Sequence, residues 1–285
     1  EAEAFASGER DGELGAVWQH VGVGDEGSEE EPPSFQRYLE VQAMWDRDRA
    51  QPHQPEKQLD YVGGWRTFPN WQRNGIRINR FGLRGGDCKR HKADGVTRVL
   101  GIGDSCVFGC PPDDGPWPAQ LQIQMDRRAP LKVEVLNAGV NGQRSSNVYL
   151  RLPRLIRLLG PDMVMISILA NDAWGTNPGE GVDLARFRPE AFIRNVQAGI
   201  DCCRRYHVAP VLITPPGMVP TTLEMTPHML LGFHQASWLG PEKQPDKMRL
   251  LYDRYNEALR ELARETGIPL IDTAAAFDEE LDDRR

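Results

Sequence analysis

Five short apolar runs mark the chain from residue 99 onward, and each ends in a small or polar residue: Val99 to Gly103, Val133 to Asn137, Met163 to Ala170, Pro210 to Thr214 and Pro269 to Thr273. Brief, continuous runs rich in valine, isoleucine and leucine are how strands buried on both faces read. Amphipathic stretches separate them. Ser146 to Leu159 and Pro189 to Tyr206 carry helical periodicity, and Pro153 predicts a kink in the first. Lys247 to Glu265 places Leu251, Tyr255, Ala258 and Leu262 at helical spacing before Gly267 closes the helix. Strand alternating with helix predicts a parallel sheet with right-handed crossovers. The expected fold is therefore α/β: a doubly wound sheet of about five strands flanked by helices in three α/β/α layers.

The ends of the first three strands carry the candidate chemistry. The first runs into Gly103-Asp104-Ser105-Cys106-Val107-Phe108-Gly109, and the second into Asn137-Ala138-Gly139-Val140-Asn141-Gly142-Gln143-Arg144-Ser145, with a helix starting at Ser145 or Ser146. The third ends in Ala170-Asn171-Asp172. Parallel strands bring such ends to one edge, where ligands bind in open α/β sheets. A hydroxyl at Ser105, a backbone N–H at Gly142 and a side-chain amide at Asn171 would then converge. Acyl transfer needs such a set, because a tetrahedral oxyanion requires several fixed donors, each worth about 3 to 4 kcal/mol. A Gly-Asp-Ser triplet alone also fits an ordinary turn, so the weight rests on the three segments in this order.

These three blocks resemble those of the SGNH, or GDSL-type, hydrolase family. Gly103-Asp104-Ser105 is similar to its first block, Asn137 through Gly142 to its second and Ala170-Asn171-Asp172 to its third, with Ala170 where the family usually has glycine. The segments Gly64-Trp65-Arg66-Thr67-Phe68-Pro69-Asn70 and Ile76 to Arg84 look like a lead-in found in bacterial members. The resemblance covers about residues 60 to 285. It implies a flavodoxin-like fold, Ser105 as nucleophile, and an oxyanion hole made by the N–H groups of Ser105 and Gly142 and the amide of Asn171.

The family's fourth block, Asp-x-x-His, does not occur in this sequence. After the last strand comes a helical stretch, Ala274 to Leu281, and then Asp282-Asp283-Arg284-Arg285. Arginine cannot accept a proton at neutral pH. Three explanations stand: the sequence stops short of the block, a base comes from elsewhere, or the chain is a catalytically weakened member. The first is the expectation. Among six histidines, His20, His53 and His91 precede the nucleophile in polar sequence, and His207 ends a helix. His228 and His234 lie in the long Pro/Gly-rich segment from Thr214 to Lys247, which leaves the fourth strand on the site's side. They could reach Ser105, or pack in a lid with Met225, Met229, Leu230, Leu231 and Trp238.

Charge divides the chain. Residues 1 to 34 hold ten acidic residues against one basic, Arg10, whereas the remainder carries 33 Lys+Arg against 31 Asp+Glu. Residues 1–59 are therefore expected to form an acidic, partly disordered extension to a domain over 60–285. A near-neutral body with an acidic arm argues against a nucleic-acid partner. Arg144, Arg151, Arg154 and Arg157 are spaced for one exposed helix face, with Arg144 near enough to the site to meet an anionic substrate. No apolar run approaches the roughly 20 residues of a membrane span. The opening Glu1-Ala2-Glu3-Ala4 resembles a secretion-vector remnant, and a secreted or periplasmic location is favoured over a cytoplasmic one. The five cysteines show no metal-site spacing, and packing is the expected role of all of them, Cys106 included. No cofactor or metal is implied. The expected function is a serine esterase acting on an O-acetyl carbohydrate or short-chain ester, with Trp174 as a candidate pocket wall. A non-catalytic ester- or glycan-binding module and an O-acyltransferase are the alternatives.

Overall fold

The computed structural model describes residues 57–60, 64–73, 75–109, 113–128, 132–175, 189–216 and 245–282. Most of the acidic arm and the stretch bearing His228 and His234 lie outside the described residues.

Two small antiparallel pairs come first: β1 (Lys57–Asp60) with β2 (Gly64–Thr67), and β3 (Gln72–Arg73) with β4 (Ile76–Arg77). The main sheet contains β5 (Thr97–Gly103), β6 (Val133–Asn137), β7 (Met163–Ser167), β8 (Ala209–Ile213) and β9 (Leu270–Ile271). All of its neighbours are parallel, in the order β6-β5-β7-β8-β9. By chain order this is 2-1-3-4-5, the flavodoxin-like arrangement expected from the sequence. Its connections reverse direction between β5 and β7, which opens a crevice at their C-terminal ends.

Alternate residues of each strand face opposite layers. Leu100, Ile102, Val164, Ile166 and Leu212 share one core with α3 (Ser145–Leu159), α5 (Glu190–Arg205) and α6 (Pro245–Thr266). Phe192 of α5 meets Tyr255 of α6 edge to face, with ring centroids 5.0 Å apart. On the other face, Val99, Met165, Val211 and Ile213 lie beneath Trp117 and Leu121 of α2 (Trp117–Arg127). The helix α7 (Thr273–Asp282) follows β9.

Three details refine the sequence reading. Pro153 lies inside a helix that runs unbroken from Ser145 to Leu159. The last strand holds only Leu270 and Ile271, because Asp272 turns its side chain to the Ala275 N–H at the start of α7 and the Thr273 hydroxyl donates to the Thr214 carbonyl beyond β8. The helix α2, absent from the elements expected above, starts at Trp117 behind Pro116 with Pro118 in its first turn, where proline is well suited because no N–H is needed.

The N-terminal edge of the sheet is held by Arg98, whose side chain is fully buried. Its guanidinium donates to Glu134 at 2.7 Å and to the carbonyls of Arg90, Lys89 and Leu159. A buried charge is tolerable when its protons are satisfied in this way.

Candidate active site

At the opposite edge, β5 delivers Asp104 and then a single helical turn, α1 (Ser105–Phe108). Ser105 is its first residue and half-buried; Val107 and Phe108 point into the core. Among the described residues no group accepts a hydrogen bond from the Ser105 hydroxyl. Asp104 caps the turn, accepting the Cys106 N–H at 2.8 Å through Oδ1. Its Oδ2 accepts the N–H groups of Ala170 at 3.1 Å and Leu169 at 3.5 Å. One carboxylate thus ties the serine turn to the end of β7. Burial pushes its carboxyl up to about 6, against the pull of these hydrogen bonds.

The second block approaches the same turn from β6. A Cβ on Gly139 would sit 2.2 Å from the Phe108 nitrogen, so only glycine permits the approach. Asn137 donates from Nδ2 to the Val107 carbonyl at 2.9 Å, and its Oδ1 accepts the Gly139 N–H at 2.9 Å. Gly142 follows with φ +78°, a left-handed conformation that glycine adopts without strain, and it is exposed. Gln143, fully buried, receives a 2.6 Å hydrogen bond from Arg151.

The third block binds to the second. Asn171 begins in α4 (Ala170–Gly175) and donates from Nδ2 to the Gln143 carbonyl at 2.8 Å. An amide nitrogen carries two hydrogens, so the second can serve a ligand. Asp172 accepts the Ser145 N–H at 2.8 Å and the Ser145 hydroxyl at 2.6 Å, fastening the start of α3. Burial raises its pKa, and the Ser145 hydrogen bonds oppose the rise. Asn195 of α5 completes this cluster at 3.0 Å from the same hydroxyl.

Of the residues singled out in the sequence, Ser105, Gly142 and Asn171 therefore stand on three loops of one edge, joined by Asp104 and by the Asn171–Gln143 hydrogen bond. Asn137, Gln143 and Asp172 were named only as members of their blocks; their bracing contacts join residues remote in sequence. Arg151, expected on an exposed face, is half-buried and also reaches the Ala138 carbonyl at 3.2 Å. Cys106 is exposed rather than packed, because it occupies the outer side of α1. Cys88, Cys202 and Cys203 are buried, and burial pushes the Cys203 thiol up to about 12. Cys110, Trp174's side chain, His228 and His234 fall outside what is described. His91 and His207 lie near the starts of strands, at the far edge from Ser105. Among the described residues, no group of three or more His, Cys, Asp or Glu side chains converges to hold a metal.

A flavodoxin-like sheet whose crevice holds a glycine-flanked serine and an asparagine amide defines an SGNH-type α/β hydrolase architecture. The profile of the GDSL-like lipase/acylhydrolase family matches residues 102–285. The chain belongs to that family. Its similar proteins include the uncharacterized lipoprotein YqeF of Bacillus subtilis, 25% identical over 187 residues, which are 64% of this chain and 73% of that one. An acetylxylan esterase of Geobacillus stearothermophilus is 28% identical over 151 residues, 53% of this chain; the chain spans 59% of that relative's length. Among solved structures, an acetylxylan esterase of the same organism has 20% identity and a TM-score of 0.49, covering 65% of this chain and 80% of its own. An alpha/beta hydrolase from the metagenome of Lake Arreo has 22% identity and a TM-score of 0.49, covering 65% and 81%.

Proposed function

We propose that the protein is a serine ester hydrolase working through an acyl-enzyme on Ser105. The Ser105 oxygen attacks the ester carbonyl while a base removes its proton. The resulting oxyanion accepts hydrogen bonds from the Ser105 and Gly142 N–H groups and from Asn171 Nδ2. Collapse expels the alcohol, protonated as it leaves, and water then releases the acid and restores the serine. The base comes from outside the described residues, because neither His91 nor His207 is near this edge. The observation that carries this reading is the pair of hydrogen bonds from Asn171 to Gln143 and from Ala170 to Asp104, which hold the three blocks in one constellation.

The substrate is an O-acetylated carbohydrate or another short-chain ester. The acetylxylan esterase among the relatives supports that class, and the lipoprotein supports an exported location. Residues 60–285 form the hydrolase domain, and the acidic segment 1–59 is an extension to it. Labelling of the intact chain with a fluorophosphonate, followed by intact mass, tests the nucleophile. Uptake of one label that vanishes in Ser105→Ala supports the reading, and label elsewhere or equal labelling of the variant refutes it. Acetate release from acetylated xylooligosaccharide, compared with 4-nitrophenyl acetate and butyrate, tests the substrate class.

A further inference from the structure

The serine turn is short enough to need outside support. A single turn of helix fixes several backbone dihedrals for one or two hydrogen bonds, so alone it is unstable. Among the described residues, the helical closure at the C-terminal end of α1 is the Gly109 N–H to the Ser105 carbonyl, at 2.7 Å, and the Val107, Phe108 and Gly109 carbonyls take side-chain donors. Asn137 serves Val107, as described above. Arg84 serves Phe108 and Gly109: its Nη1 donates to the Phe108 carbonyl at 2.7 Å, which Asn137 Nδ2 also approaches at 3.4 Å, and to the Gly109 carbonyl.

Arg84 comes from the lead-in segment, upstream of the stretch that the family profile matches. Its side chain is 1% exposed. Its guanidinium carbon lies 4.9 Å from the centroid of the Phe108 ring, and its Nε lies 3.5 Å from Asp113. Its backbone N–H donates to the Asn137 carbonyl at 2.9 Å, which fixes the base of the side chain against β6. The turn is thus gripped at both ends by opposite charges. The Asp104 carboxylate meets its N–H end, and the Arg84 guanidinium meets its carbonyl end, the arrangement that a helix's own dipole favours.

We propose that Arg84 is a positioning residue for the nucleophile, setting the pitch of the Ser105 turn through the Phe108 and Gly109 carbonyls; this rests on the reading of Ser105 as nucleophile. The flat face of the guanidinium matters as much as its charge, because a lysine ammonium has no plane to lay on the Phe108 ring while its nitrogen reaches the two carbonyls. Arg98 supplies the control, being equally buried and multiply bonded but at the far edge of the sheet.

The test measures the rate of fluorophosphonate labelling at Ser105, per folded molecule, together with kcat and KM for a short-chain ester and the thermal midpoint. The wild type, Arg84→Met, Arg84→Lys and Arg98→Met are compared well below their midpoints. The expected result is a fall of about tenfold or more in labelling rate and kcat for Arg84→Met at little-changed KM, a misplacement effect. Arg84→Lys recovers part of it and serves if the methionine variant does not fold. Arg98→Met lowers the midpoint but labels at the wild-type rate. Wild-type labelling rates in both folded Arg84 variants overturn the inference alone. A wild type that takes no label at Ser105 overturns the esterase reading and the inference with it.

Discussion

At the β5–β7 end of the sheet, Asp104 takes its hydrogen bonds from backbone N–H groups of two loops, whereas at the β8–β9 end Asp272 is clasped by a cation. Arg260 of α6 donates to Asp272 at 2.7 and 3.1 Å, and the Thr214 hydroxyl adds a third bond at 2.7 Å. The two carboxyl groups are driven apart: Asp104 rises to about 6 by burial, and Asp272 falls to about 2 beside Arg260. One acts as a spacer that sets the distance between the serine turn and the asparagine loop. The other fastens a helix to a strand end. Backbone donors fix the separation of two loops directly; a scaffold joint needs only holding power.

The contrast can be broken most strongly at Ser105. Replacing it by alanine is expected to lower ester hydrolysis by a thousandfold or more, on the order of the loss when a nucleophile is removed, with an unchanged melting curve. Asn171→Ala should lower kcat by about a hundredfold to a thousandfold, the cost of one oxyanion donor. It should also loosen the Gln143 loop, readable as faster hydrogen exchange there than in the wild type.

Stability against pH separates the two carboxylates with opposite signs. Asp104 has a folded pKa above its unfolded value of about 3.9, so the folded state binds more protons between the two. Its effect therefore makes the protein less stable as pH rises from about 4 to about 6, by about 3 kcal/mol in all, with no further change above. Urea midpoints across that range should fall with pH more steeply in the wild type than in Asp104→Asn. Asp272 has a folded pKa below its unfolded value, so its contribution is present above about pH 4 and is lost as pH falls through about 2. The pair is partly exposed, and Asp272→Asn should cost only about 1 kcal/mol, seen as a small drop in midpoint at pH 7 with kcat retained. An equal loss of kcat in Asp272→Asn would erase the distinction between spacer and clasp.

Much of this edge was legible in the sequence because its chemistry is local. A strand that runs into Gly-Asp-Ser puts Ser105 at the sheet's edge, and the runs at Val133 and Met163 put Gly142 and Asn171 at the same edge. The bracing was not legible. Asp104 meets Ala170, Asn137 meets Val107 and Arg84 meets Phe108 only after the sheet has assembled. The buried Arg98 likewise reads as an ordinary charged residue at the start of a strand until Glu134 and three carbonyls surround it. The helix α2 was hidden by its own cap, since prolines flanking Trp117 signal a turn as readily as a helix start.

The parallel register carries a consequence for how the chain reaches this state. Val99 pairs with Met163, Met163 with Ala209 and Leu212 with Leu270, so each of these ladders joins segments separated by at least one whole helix and its loops. Closing such distant pairs must precede any reward from them, which places the protein among slow folders. The interior strand β5 has two partners to find, β6 and β7, and carries Val99, Leu100 and Ile102 that are buried in the finished sheet. Until both arrive it is an open edge, and refolding yield should therefore fall with protein concentration.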